Sequence, residues 1–168
     1  MKTTLDINTT FALTCPLLLG EEEQQNPYPF LKDFFDFSSL EGYKEELSVW
    51  FRSAVSIGLR YGNANNLLFL HSQIIQLLNA GLLIASREPN PNCTNKSLAY
   101  ITETITVETI TTIRYGLREW VFAALNEDND LSDAGHEYSF ALYELLLKLV
   151  EACYLILTGK TTLNKETP

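Results

Sequence analysis

The sequence predicts an all-α protein: a long antiparallel helical hairpin, flanked by shorter helices, that pairs into a four-helix bundle in a homodimer. Three observations carry that expectation. From Tyr61 to Ser86 there is no charged residue, yet His71, Gln73, Gln76 and Asn79 interrupt the run, so apolar side chains fall on nearly every face of one helix. Helix-start signals stand before the apolar stretches. No clean alternation of apolar and polar residues marks a strand.

The elements follow in order. Residues 1–27 read as an irregular arm with a short apolar piece, "FALTCPLLL". The aromatic run "PYPFLKDFFDF" comes next, at 27–37. Ser38 with Glu41 has the spacing of a capping box and opens a helix over 39–60, with Tyr43, Leu47, Trp50, Phe51, Ala54 and Leu59 on one face. Gly62 ends or kinks it, and "NANN" starts a second helix over 63–86. The loop "REPNPNCTNKS" is rich in turn formers. A third helix is expected over 97–125, although "ITETITVETITTI" is β-branched enough to read as a strand. Ser132 or Asp133 caps a fourth, over 133–157, which Gly159 terminates.

Length argues for self-association. At about 1.5 Å per residue the second and third helices span roughly 36 and 43 Å. A compact chain of this size has a radius of gyration of only about 15 Å. A hairpin of that length would stand out from the body with apolar residues uncovered, and a second copy would cover them.

The net charge of −9, with 12 Lys and Arg in 168 residues, disfavours nucleic-acid binding by this segment, since phosphate contacts need basic clusters. An acidic surface suits a basic partner protein, and an acidic helical interaction or regulatory module is the alternative reading. Cys15, Cys93 and Cys153 are too few and too far apart for a disulfide framework or a CxxC metal site. The pattern suggests one exposed thiol, Cys93, and two packed ones. The first twenty residues lack the pattern of a signal peptide. No run approaches the length of a membrane span in this reading, and no membrane insertion is expected.

No nucleotide-binding, metalloprotease or hydrolase motif is present, and the only histidines are His71 and His136. "NEDNDLSDAGHE" resembles a calcium loop in spacing, but Leu131 occupies the position where the sharp turn needs glycine. No catalytic residue, metal or cofactor is expected, and the chain does not read as an enzyme.

Taken in order, the elements resemble the core (capsid) protein of hepadnaviruses and of their non-enveloped relatives, the nackednaviruses. "LDINTTFALTCPLLL" is similar to that family's amino-terminal arm. "FLKDFFDF" resembles its Leu-Pro-x-Asp-Phe-Phe-Pro segment through Asp33, Phe34 and Phe35, with Asp36 in place of the proline. "EGYKEEL" resembles the helix that follows. The resemblance covers most of the chain, and order and lengths carry it more than any single motif.

The resemblance implies a structural protein that dimerises through its hairpin and assembles into an icosahedral shell around the viral genome, in the cytoplasm of the host cell. Leu67, Leu70, Ile74, Leu78, Leu82, Ile105, Ile113 and Trp120 would pack within the dimer. Phe34, Phe35, Tyr138, Leu142 and Leu145 would serve contacts between dimers or the base. Arg87, Pro89, Pro91 and Cys93 would form the tip of the spike. Two family features are missing: the Pro-Pro-x-Tyr-Arg-Pro-Pro arm after Leu157, and an arginine-rich tail that would bind viral RNA or DNA.

Overall fold

The computed structural model describes residues 19–87, 96–126, 131 and 136–163, with the backbone alone for 136 and 160–163. Every described element is a helix: α1 (Glu21–Gln25), α2 (Tyr28–Phe37), α3 (Leu40–Val55), α4 (Ala64–Arg87), α5 (Lys96–Thr104), α6 (Val107–Leu125) and α7 (His136–Leu163). The all-α expectation holds.

The aromatic run is itself a helix, which the sequence reading did not anticipate. Proline in the first turn of α2 costs nothing there, because that N–H has no helical acceptor. Phe30, Leu31 and Phe34 face the core. The Phe34 ring stacks on Tyr43 at 3.9 Å between centroids, and the Tyr43 hydroxyl donates to the Phe34 carbonyl at 2.9 Å. Both links join α2 to α3.

The cap of α3 is Ser39, not Ser38: its hydroxyl accepts from the Gly42 N–H at 3.1 Å. The helix starts one residue later than expected, so no capping box with Glu41 forms. It ends at Val55 rather than at 60, and Gly58 turns the chain at φ 76°. That left-handed conformation suits glycine, and Gly62 is not the stop. Asn63 then caps α4 by accepting from the Asn65 and Asn66 N–H groups at 2.9 and 3.2 Å.

The expected third helix is two helices. α5 stops at Thr104, and Thr106 caps α6. The Thr106 hydroxyl accepts from the Thr109 N–H at 3.2 Å, and the Thr109 hydroxyl accepts from the Thr106 N–H at 2.8 Å. Threonine hydroxyls compete with the helical ladder in this way, and the threonine-rich stretch breaks where two of them cap each other. The last helix, by contrast, runs through Gly159 to Leu163.

α4 is the centre of the fold. Leu67, Ile74, Leu77, Leu78 and Leu83 are all 0% exposed, with α1, α2, α5 and α6 packed against it. α7 lies across α2, α3, α5 and α6. Trp50 from α3 and Trp120 from α6 meet edge to face at 5.7 Å, and the Trp120 indole donates to Ser139 of α7 at 3.4 Å. By length and composition α4 could cross a membrane, with a mean hydropathy of 1.7. That corrects the reading that no run was long enough. In the fold, 67% of its most apolar window is buried.

Burial of α4 removes the uncovered apolar length from which a second copy was expected, and does not bear on pairing through other faces. Its C-terminal half, from Leu77 to Ala85, is its most buried part. The hairpin partner is broken into pieces of about 14 and 29 Å. The chain covers the inner faces of its own hairpin, while Leu68, Phe69, Tyr115 and Phe122 stay exposed.

Candidate functional site

All eight residues assigned to the dimer contact lie in the core of the single chain. Leu67, Ile74 and Leu78 are 0% exposed, Leu70 6%, Leu82 4%, Ile105 1%, Ile113 4% and Trp120 1%. In this conformation they contact other helices of the same chain, so a partner would have to use residues outside them. Of the assigned tip, Pro89, Pro91 and Cys93 lie outside the described residues. Arg87 donates to the Gln25 carbonyl at 2.6 Å and also to that of Gln24, so the end of α4 is tied down to α1.

The residues assigned to base or interdimer contacts divide. Phe34 is 1% exposed; Phe35 meets Tyr154 of α7 edge to face at 5.2 Å. Those two are packing residues that hold α2 on the body. Tyr138, Leu142 and Leu145 instead line one open groove of about 320 Å³ between α6 and α7, with Thr109, Thr112 and Ile113 opposite. Glu108 is the single charged residue among the described lining.

Small side chains let α6 and α7 approach there. Gly116 faces Leu142 and Tyr138 so closely that a Cβ would sit 2.8 Å from each. The Tyr138 hydroxyl crosses the groove and donates to the Thr112 carbonyl at 2.9 Å. Burial raises the pKa of that phenol, so it stays protonated and able to donate.

A second exposed surface was not foreseen. On α6, Tyr115 and Phe122 are 58% and 59% exposed, with Arg118 stacked on Tyr115 at 5.4 Å. Their spacing of seven, off the core face set by Ile113, Leu117 and Trp120, was the available signal. A third surface is a corner where Phe37 of α2 meets Phe69 of α4 at 5.0 Å. Beside it Tyr61 donates its hydroxyl to Glu46.

Inside the bundle, Arg114 of α6 donates to the side chain of Asn79 on α4. Asn79 is 0% exposed, and its amide nitrogen has no hydrogen-bond partner. His71 packs edge-on against Trp50 at 6.1 Å, and burial lowers its pKa. Cys153 is buried, as expected for one of the packed thiols, and burial pushes its pKa up to about 12. Cys15 and Cys93, and most of the calcium-like loop, lie outside the described residues. Among the described residues no three His, Cys, Asp or Glu side chains gather as a metal site.

Compared with known protein families, with curated proteins and with solved structures, the chain matches none.

Proposed function

We propose that the chain is the assembly domain of a viral capsid protein, which dimerises and then builds an icosahedral shell around the viral genome. The observation that carries this reading is the groove between α6 and α7. It gathers Tyr138, Leu142 and Leu145 into one apolar surface on a chain of net charge −9, and those are residues that the resemblance assigns to contacts between dimers or to the base.

Separate apolar surfaces support it further. A shell subunit needs more than one contact surface, because one two-fold interface gives only a dimer. The groove, the Tyr115–Phe122 stripe and the Phe37–Phe69 corner are distinct surfaces with exposed rings. The dimer contact of this proposal uses the outer residues of α6, Tyr115 and Phe122, because the inner ones are already covered. RNA or DNA contact falls to the basic tail that the resemblance implies, not to this acidic segment. α4 stays in the core rather than in a membrane, and the site of action is the virion, assembled in the host cytoplasm.

The test is electron microscopy of the purified protein, with light scattering as salt is raised. Salt screens the acidic repulsion between subunits, so shells should form or increase with ionic strength. A chain that stays monomeric at high concentration and high salt refutes the proposal. A small stable oligomer without shells would favour the acidic interaction module and its basic partner.

A further inference from the structure

Tyr115 and Phe122 belong to a face of α6 that is symmetric about its own centre. Thr111, Tyr115, Arg118, Glu119, Phe122 and Asn126 follow one side of the helix, within an arc of roughly 100° at ~3.6 residues per turn. That side points away from the buried face of Ile113, Leu117 and Trp120. Five of the six residues are exposed and Glu119 is half-buried. The point midway between Arg118 and Glu119 is also midway between Tyr115 and Phe122, and midway between Thr111 and Asn126. When the face is turned end for end about that point, ring falls on ring, uncharged polar side chain on uncharged polar side chain, and cation on anion.

We propose that two copies of the chain pair through this face, with α6 antiparallel to its counterpart, about a two-fold axis that passes between Arg118 and Glu119. The inference deepens the dimer contact of the proposed function and rests on it. In a two-fold contact one surface meets itself. An axis parallel to α6 would set each residue against its own copy, so Arg118 would face the partner's Arg118. An axis perpendicular to α6 at its symmetric centre sets Arg118 against the partner's Glu119, twice, and Tyr115 against the partner's Phe122, twice. Opposite charges across a contact fix its register, and like charges oppose it, so charge selects the antiparallel arrangement. Both charges are open to a partner. Within the chain the Arg118 guanidinium and the Glu119 carboxylate are 3.7 Å apart, beyond hydrogen-bond distance, and their side chains are 62% and 38% exposed. Arg118 rests on the Tyr115 ring at 5.4 Å, which holds it on the stripe, and its planar fork can take a carboxylate with two parallel bonds. The stripe carries one cation and one anion, so it brings no net charge to the contact on a chain of net charge −9.

The experiment is sedimentation equilibrium of the whole chain, of Arg118→Glu, of Glu119→Arg and of the variant carrying both changes. Each single change turns two attractive pairs into repulsive ones and should weaken dimerisation about tenfold or more. The double swap restores opposite charges and should return the dimer Kd to within about threefold of the original. Neither side chain is buried, so the fold should survive, and circular dichroism checks it. Register is read separately by mixing Thr111→Cys and Asn126→Cys chains with a short bismaleimide cross-linker and locating the linked residues by peptide mass spectrometry. Position 111 of one copy should link to position 126 of the other and not to itself, since antiparallel copies set the two Thr111 positions about 22 Å apart along the helix axis. A chain that forms no dimer, a double swap that restores nothing, a missing 111–126 link, or Thr111→Cys chains that link to one another each overturn the proposal. The assembly reading fails separately. Shells in the electron microscope with an unrescued swap keep that reading and reject this register, while a rescued dimer that builds no shell does the reverse.

Discussion

Replacing Gly116 by alanine sets two opposed effects against each other. Alanine gains about 1 kcal/mol over glycine in a helix interior. Against this, the new methyl would lie 2.8 Å from Leu142 Cδ2 and 2.8 Å from Tyr138 Oη. The two neighbours respond differently. Tyr138 is 43% exposed and can swing away, but it then gives up its bond to the Thr112 carbonyl, about 1 kcal/mol. Leu142 is 3% exposed and has little room to move, and overpacking a core site costs about 1–3 kcal/mol. The sum is a loss of about 1–3 kcal/mol. Gly159 is the control: nothing lies within 4 Å of its Cβ position, so Gly159→Ala should gain up to about 1 kcal/mol. Urea denaturation of both variants gives the two signs. If Gly116→Ala were as stabilising as Gly159→Ala, the close approach of α6 and α7 that shapes the groove would be wrong.

Three further outcomes are expected. Leu78→Ala should cost about 2–5 kcal/mol, equally at low and high protein concentration, because Leu78 is 0% exposed within one chain; a cost that changes with concentration would move Leu78 to an interface. His71 has a folded-state pKa below its usual 6.5 because it is buried, so below that pH the unfolded chain binds a proton that the folded chain refuses. Stability from this group is therefore complete above about 6.5 and lost as pH falls towards the folded value, and His71→Gln should show a shallower drop in urea midpoint between pH 7.5 and 5.5. Cys153 should resist alkylation in the native protein and react on unfolding, as peptide mass spectrometry would read, because burial disfavours its thiolate.

Helix type was legible in the sequence, while helix ends and mutual coverage were not. The apolar run from Tyr61 to Ser86 announced a helix needing cover on several sides, and α4 matches the expected span 63–86 to within a residue at each end. Periodicity, however, does not say whether the cover comes from the same chain or from a second one. Length favoured a second copy in part because 97–125 was read as unbroken. The break rests on the side chains of Thr106 and Thr109, and a Thr-x-x-Thr pair inside a β-branched run is a weak signal among so many threonines. The groove was half legible: Tyr138, Leu142 and Leu145 fall on one helical face by spacing. Their partners on α6 follow from the crossing that Gly116 permits, which one helix cannot reveal. The Tyr61–Glu46 corner depends on a loop and two helices converging, and no local pattern announces that.

The enclosed position of α4 also bears on how the chain is made. The helices that flank it on one side, α5 and α6, and the long α7 all follow it in the chain. During synthesis at ~5–20 residues per second, the segment Ala64–Arg87 leaves the ribosome some seconds before those later helices exist. For that interval its leucines and isoleucines have only α1, α2 and α3 to meet. The nascent chain thus passes through a stage in which α4 lacks the cover that α5 and α6 give it in the finished fold. Its full cover is in place only once α5 and α6 have been made.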